Sequence, residues 1–279
     1  MESTVLTERR DGGILLIGIN RPEANNRIDP PTYIALGQAL YELDHDDQLR
    51  VGVLYATGPD FVPALDLAAY GAAAQAGTFP SATPRSGIVD PLDMTPRRSK
   101  PLVVAVQGQT KRVGHELFLA ADVRVAASDT VFAQDEALLG LYPGGGATVR
   151  LVREIGHGNA MRLMLTGETW GAAEAQAYGL VQAVTPPGQQ VERALEFARK
   201  IATAAPLGVR ATITAVHRYE QEGEAAAFPA LRPELARLMA TQDFGEAVRA
   251  RRAAQPGLPR SISGVAGLIA FILAFVSRS

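Results

Sequence analysis

The chain has 279 residues, of which 47% are apolar and 20% are charged, and its formal net charge is −2. A chain of this length and apolar content can bury a substantial core, and its nearly balanced charge gives no sign of the basic footprint that nucleic-acid binding produces. Cysteine is absent, which excludes disulfides, thiolate metal ligands and cysteine nucleophiles and is compatible with a reducing compartment, so we expect a cytoplasmic protein with no nucleic-acid partner.

Apolar runs and helical stripes alternate along the first half of the chain. Residues 13–20 form a short aliphatic run bounded by turn residues, and this pattern predicts a buried strand. A helix is predicted to begin after Asp29, which offers an N-cap and is followed by two prolines and by apolar residues at helical spacing. Further strands are predicted at residues 51–56, 102–106 and 123–126, and a further helix near residues 116–121. This alternation predicts an α/β fold.

Residues 71–99 interrupt the alternation. They contain many small residues and several prolines and show little periodicity, so we expect a long loop or a mobile helix. A loop of this length inside a compact domain is usually functional, and one interpretation is a lid or a pocket wall. A surface insertion that the fold tolerates is the alternative.

The chain becomes predominantly helical after Gly171. Helices are predicted at residues 172–178, 191–204, 213–220 and 233–254. We expect three parts, namely a core over residues 1–190, a helical region over residues 191–257 and an apolar tail over residues 258–279. The tail contains seventeen uncharged residues at 261–277, whereas a membrane span takes about 20 apolar residues. Membrane contact through the tail is therefore an alternative, and a helix packed on a neighbouring subunit or a terminal extension without a role is favoured.

Two local patterns carry candidate chemistry. Residues 143–148 form a glycine-rich loop before a predicted helix start, where free N–H groups and a partial positive charge can stabilise an oxygen that gains charge. A tight turn without such a role is the alternative. Glu116 and Glu136 are acids set among apolar residues, where an unpaired carboxylate is costly. In one shared pocket, one of them can serve as base and the other as acid, whereas two unrelated acids with separate partners are the alternative.

Seven ordered motifs connect these patterns to a known family. They are residues 21–26 (RPEANN), 58–67 (GPDFVPALDL), 100–108 (KPLVVAVQG), 116–122 (ELFLAAD), 132–136 (FAQDE), 140–146 (GLYPGGG), and 165–168 with 179–181 (LTGE and GLV). In order and spacing they resemble the crotonase superfamily of enoyl-CoA hydratases and isomerases, and most closely its hydratase-like members. The resemblance covers about residues 5–255. It implies a ClpP/crotonase-like spiral of ββα units with a helical C-terminal trimerisation region, and a homotrimer or homohexamer.

The resemblance also implies a site that acts on an acyl-CoA thioester, with no cofactor beyond the coenzyme A of the substrate. The backbone N–H groups of Leu65 and Val113 would form an oxyanion hole for an enolate, and the helix terminus at Gly144 would add its dipole. Glu116 and Glu136 match the two glutamates that hold the attacking water in the hydratases. Their joint presence favours reversible addition of water to a 2-enoyl-CoA over isomerisation.

Four other residues have supporting or open roles. Asp66 matches a position of structural support. His115 is either a proton carrier near neutral pH, as in some carbon–carbon hydrolases of the superfamily, or a packing or surface histidine. Arg21 and Lys100 could steer the phosphates of coenzyme A, although solvated surface charges are the favoured interpretation.

The chain departs from the family pattern at both oxyanion loops. Pro63 and Leu65 stand where the family usually has small residues, and Arg112 and Val113 replace two of three consecutive glycines. Glycine permits positive φ and close approach, so these replacements are expected to alter the second donor or to narrow the site. The alternatives to hydration are therefore isomerisation, hydrolysis of a thioester or a carbon–carbon bond, and a catalytically silent subunit that binds acyl-CoA.

Overall fold

The computed structural model describes residues 3–77 and 87–254 of the chain. They belong to two compact units, one that ends at Thr203 and one that begins at Ala204. The predicted division at residue 190 differs from this one by the helix Gln190–Ala202, which packs on the sheet of the first unit. The predicted apolar tail lies outside the described residues.

The described residues contain nine strands and ten α-helices. The strands are β1 (Val5–Arg10), β2 (Ile14–Ile19), β3 (Val51–Ala56), β4 (Leu102–Val106), β5 (Gln109–Lys111), β6 (Val123–Ala127), β7 (Val131–Ala133), β8 (Trp170–Gly171) and β9 (Ala183–Thr185). The helices are α1 (Pro30–His45), α2 (Leu67–Gln75), α3 (Val113–Leu119), α4 (Ala147–Ile155), α5 (His157–Thr166), α6 (Ala172–Ala177), α7 (Gln190–Ala202), α8 (Pro206–Glu222), α9 (Glu224–Met239) and α10 (Gln242–Ala254). Short 3-10 turns lie at Pro22–Ala24 and Glu136–Leu139.

The larger sheet of the first unit is buried on both faces. Its strand order is β1-β2-β3-β4-β6-β9, and all neighbours run parallel except the antiparallel pair β1 and β2. In β2, Leu15 and Ile17 point into one core cluster, whereas Ile14 and Leu16 point into the other, which α7 covers. A parallel strand that is buried on both faces is aliphatic throughout, which is why continuous apolar runs predict these strands.

The predicted α/β class is confirmed, and several elements match closely. Strands β3 and β4 have the predicted bounds, and β2 begins and ends one residue inside the prediction. Helix α1 begins directly after Asp29, whose Oδ1 accepts the N–H of Thr32 at 2.9 Å. Strand β1 escapes prediction because it is an edge strand whose residues are mostly polar and exposed, so it has no aliphatic run.

The prediction of one helix over residues 233–254 is wrong. Helix α9 ends at Met239 and α10 begins at Gln242. The side chain of Thr241 separates them, because its Oγ1 accepts the N–H of Phe244 at 3.2 Å and so caps a new helix. None of the helices within the described ranges is both long and apolar enough to cross a bilayer.

The smaller sheet, in the order β5-β7-β8, brings the two candidate glutamates near each other. Strand β5 leads into α3, which carries Glu116, and β7 leads into the turn that begins at Glu136. The two strands pair in parallel, with Lys111 opposite Ala133. Gly114 lets α3 approach closely, since a Cβ atom there would lie 2.0 Å from the carbonyl oxygen of Val62. The fold thus joins segments that lie twenty residues apart in the sequence.

Candidate active site

A cavity of about 750 Å³ in the first unit is lined by most of the residues predicted to form the site. They are Leu65, Val113, Glu116, Glu136 and Gly144. Asp66 and His115 are absent from its described lining. The structure therefore brings both candidate acids and both candidate amide donors to one place.

The irregular region after α2 forms one wall of this cavity. Gly71 and Ala74 line it from α2, and Ile88, Leu92 and Met94 line it from the chain that leads to β4. The described parts of residues 71–99 thus have the position predicted for a pocket wall rather than that of a remote surface insertion. Residues 78–86 lie outside the described residues.

Glu116 is a buried acid held by the glycine-rich loop. Its Oε1 accepts the N–H of Gly145 at 2.7 Å and the N–H of Ala147 at 3.2 Å. The pKa of Glu116 is raised to about 7, chiefly by burial; the charge of Glu136 also raises it, and the two N–H groups oppose the shift. A carboxyl with this pKa can take up or give a proton near neutral pH.

The glycine-rich loop contacts Glu116 directly. Helix α4 begins at Ala147, and the N–H groups of Gly145 and Ala147 at its entry are bonded to Glu116. Gly145 is needed for this contact, because a Cβ atom there would lie 2.3 Å from Oε2 of Glu116. The dipole that the resemblance implies for the helix terminus at Gly144 stays a prediction.

The environment of Glu136 differs from that of Glu116. It is the first residue of a 3-10 turn and is 7% exposed, and its Oε2 atom is buried without a hydrogen-bond partner in the described part of the chain. Burial raises its pKa; the charge of Asp135 also raises it, and the guanidinium of Arg112 opposes the shift. One glutamate is therefore fixed by backbone donors, and the other keeps an oxygen that can bind water or accept a proton.

The N–H groups of Leu65 and Val113, the two predicted donors, have no acceptor among the described residues. Leu65 forms a bridge to Ile28 in which the flanking residues make the bonds: Ile28 donates to the carbonyl of Ala64, and Asp66 donates to the carbonyl of Ile28. Val113 is the first residue of α3, where a helical N–H has no partner within the helix. Neither amide donates to a backbone or side-chain acceptor within residues 3–77 and 87–254.

Arg112, which stands where the family usually has glycine, has an unfavourable backbone conformation. Its φ of 52° and ψ of −123° lie in a region that residues other than glycine rarely adopt, whereas Val113 has helical geometry. Its guanidinium binds the carboxylate of Asp135 twice, with Nε–Oδ1 at 2.6 Å and Nη2–Oδ2 at 2.8 Å. The positive φ thus falls at Arg112, which has a bidentate ion pair, and not at the β-branched Val113.

Asp66 and His115 take structural positions. Asp66 caps α2, since its Oδ1 accepts the N–H of Ala69 at 3.1 Å. His115 is fully buried, with ring centroids 5.4 Å from Phe132 and 5.1 Å from Trp170. Burial lowers the pKa of His115 to about 3, so the ring is neutral at physiological pH.

Arg21 and Lys100 are not the solvated charges we expected. Lys100 is 5% exposed, and its Nζ donates to the carbonyl of Asp46 at 2.7 Å. Arg21 pairs with Asp29 at 3.1 Å and also donates to the carbonyl of Arg27. Both side chains therefore bind carbonyl or carboxylate groups of the protein itself.

Sequence reasoning missed a polar pair in the cavity wall. The hydroxyl of Tyr33 donates to Oδ1 of Asp90 at 2.6 Å, and the same carboxylate accepts the N–H groups of Leu92, Met94 and Thr95. Tyr33 and Asp90 are 57 residues apart, and no local pattern marks either of them. Within the described residues, no group of three His, Asp or Glu side chains is arranged to hold a metal ion.

Comparison with known proteins identifies the family. A model of the enoyl-CoA hydratase/isomerase family matches residues 9–255. The chain belongs to this family. It is 36% identical to the enoyl-CoA hydratase EchA19 of Mycobacterium tuberculosis over 80% of this chain and 84% of that one, and 33% identical to a carnitinyl-CoA dehydratase of Salmonella arizonae over 82% of this chain and 90% of that one. A crystal structure of a probable enoyl-CoA hydratase/isomerase from Mycobacterium abscessus superposes with a TM-score of 0.84 at 42% identity, covering 90% of this chain and 96% of that one.

These matches confirm the predicted family and its α/β fold. They also make the chain an enzyme of the hydratase type, which the family pattern favours over the silent alternative.

Proposed function

We propose that this enzyme adds water reversibly to the double bond of a 2-enoyl-CoA thioester. The observation that carries the proposal is the pair of buried glutamates in unlike environments, lining one cavity with two unbonded backbone amides. Relatives named an enoyl-CoA hydratase and a carnitinyl-CoA dehydratase support it, because addition and elimination of water are the two directions of one type of reaction.

The proposed steps follow from the two carboxyls. One ionised glutamate removes a proton from a water held between Glu116 and Glu136, and the oxygen of that water bonds to C3 of the enoyl group. The electron pair of the double bond then moves to the thioester oxygen and forms an enolate. The other glutamate, protonated at the start, gives its proton to C2. A pKa of about 7 lets Glu116 be present in either form at neutral pH.

The amides of Leu65 and Val113 are proposed to stabilise the enolate oxygen. Stabilisation of this kind comes from donors that are already aimed where charge develops, and removing one such donor typically costs about 10²- to 10³-fold in rate. An amide bonded within the backbone would have argued for the silent alternative. Both amides lack such a bond among the described residues, which favours an active site.

Hydration of crotonoyl-CoA, followed by the loss of the enoyl absorbance, tests this proposal. We expect turnover by the wild type and a loss of at least about 10²-fold for Glu136→Gln, which keeps the shape of the side chain and removes its base. A redirected enzyme would leave crotonoyl-CoA unchanged while it isomerised or hydrolysed another thioester. A silent subunit would show no turnover and no effect of the substitution.

We also propose that the enzyme works as a homotrimer or homohexamer. Several large apolar side chains of the first unit are exposed, with Leu138 67%, Tyr142 74% and Val149 65% accessible, and in the second unit Phe228 is 63% accessible. Such surface is compatible with burial against other copies. Light scattering at micromolar concentration should give three or six times the mass of the chain, and a monomer would contradict the proposal.

Two further expectations belong to the proposal. No cofactor is required beyond the coenzyme A of the substrate, since the proposed steps use side chains and backbone amides alone. A cytoplasmic location, and a C-terminal tail that does not anchor the protein in a membrane, stay predictions. Fractionation of cells that express the full chain would test both.

A further inference from the structure

We propose that the ion pair between Arg112 and Asp135 is a positioning device that holds the Val113 amide in the oxyanion hole. The inference rests on the proposed function, because it assigns a role within that same site. Arg112 immediately precedes Val113, and its backbone dihedrals therefore set the direction of the Val113 N–H. Those dihedrals, φ 52° and ψ −123°, are ones that a free arginine avoids.

Three further interactions fix Arg112 in this conformation. Its N–H donates to the carbonyl of Ala133 at 2.9 Å, and its carbonyl accepts the N–H of Glu116 at 2.9 Å. The third interaction is the bidentate contact of the Arg112 side chain with Asp135, at 2.6 and 2.8 Å. A bidentate arginine–carboxylate pair restricts orientation as well as distance. A residue in an unfavourable backbone conformation persists only where several contacts hold it there. Of the three contacts, the ion pair is the one that a glycine could not make.

The same pair connects both halves of the site. Asp135 directly precedes Glu136, and its carbonyl accepts the N–H of Leu138 at 3.1 Å in the turn that presents Glu136. Arg112 lines the cavity, and the side chains of Arg112 and Asp135 are 27% and 22% exposed, so the pair is partly accessible to solvent rather than buried in the core. We infer that Asp135 supplies, through Arg112, the backbone geometry that glycine would adopt without help.

A double-mutant cycle separates the positioning role of the ion pair from a general structural role. The variants are Asp135→Ala, Arg112→Gly and the double variant, with kcat and KM measured on crotonoyl-CoA. In the wild-type background, Asp135→Ala should lower kcat by about 10- to 10²-fold with little change in KM, because the released arginine turns the Val113 donor away. In the Arg112→Gly background, Asp135→Ala should cost less than about threefold, because glycine adopts positive φ without help.

A matched control removes an ion pair elsewhere in the first unit. Glu174→Ala breaks the contact of Glu174 with Arg162, 2.7 Å long, and should leave kcat and KM as in the wild type. Thermal unfolding of each variant identifies any that fails to fold. The pH profile of kcat/KM gives a further readout. If Asp135 acted only by its charge on Glu136, Asp135→Ala would shift that profile equally in both backgrounds, and this result would overturn the positioning role.

Binding of acetoacetyl-CoA, a thioester that forms a stable enolate, gives a readout independent of turnover. Asp135→Ala should weaken its binding about tenfold or more in the arginine background and by less than about threefold in the glycine background. This pattern in an enzyme that does not hydrate crotonoyl-CoA would support the positioning role while refuting the proposed function. Equal losses in both backgrounds, in rate and in binding, would overturn the positioning role whatever the reaction.

Discussion

The contact between Gly145 and Glu116 gives a sharp test of how the candidate acid is held. The change is Gly145→Ala, whose added Cβ would lie 2.3 Å from Oε2 of Glu116 and 2.9 Å from Cδ1 of Leu92. Ordinary contacts begin at 3.4 Å, so the carboxyl has to move by about 1 Å. The movement also strains the 2.7 Å bond from the Gly145 N–H, one of the two that orient the carboxyl.

A misplacement of about 1 Å typically costs about 10²-fold in rate, and overpacking costs about 1–3 kcal/mol of folding stability. We therefore expect kcat on crotonoyl-CoA to fall by about two orders of magnitude while the protein still folds. The neighbouring Gly144→Ala is a matched control, because its Cβ would meet nothing closer than 3.7 Å, at the ring of Tyr142. Wild-type activity in Gly145→Ala would refute the argument that Gly145 is required by the position of Glu116.

Three further outcomes are expected. First, because the pKa of Glu116 is raised, its contribution to the free energy of unfolding is fully present below its ordinary pKa of 4.5 and is lost as the pH rises to about 7. Over that range, chemical unfolding should show that the wild type loses about 3 kcal/mol of stability relative to Glu116→Gln, and a pH-independent difference between the two would contradict the shift. Second, His115→Leu should retain kcat and fold with equal or higher Tm, because both ring nitrogens are buried without partners; a tenfold or larger loss of activity would restore His115 as a proton carrier. Third, Asp66→Ala should cost about 1 kcal/mol of stability through loss of the α2 cap, measured by urea unfolding, and no loss would show that the cap is dispensable.

The sequence predicts the parts of the fold that have local signals. Strands β3 and β4 are aliphatic because both faces are buried, and α1 has an N-cap in Asp29. Strands β5, β7 and β8 have three residues or fewer, too short for any periodicity to mark them. The smaller sheet, which brings the two glutamates together, is therefore invisible to pattern analysis.

The candidate site shows the same division. Glu116 and Glu136 are recognisable as acids in apolar segments, but their unlike environments depend on contacts made across the fold. The bond from Gly145 to Glu116 spans 29 residues, and the pair of Arg112 with Asp135 spans 23. No local pattern gives such contacts, which is why the sequence does not predict the bonds from the glycine-rich loop to Glu116.

The most direct test of the central claim is hydration in water enriched in ¹⁸O. Wild-type enzyme is incubated with 2-enoyl-CoA thioesters of several chain lengths, and the product is analysed by mass spectrometry. The mechanism predicts a 3-hydroxyacyl-CoA that carries one heavy oxygen at C3, and at least about 10²-fold less of it from the Glu116→Gln/Glu136→Gln double variant. An unlabelled product, or equal labelled product from the double variant, would contradict the assignment of the two glutamates to the addition of water.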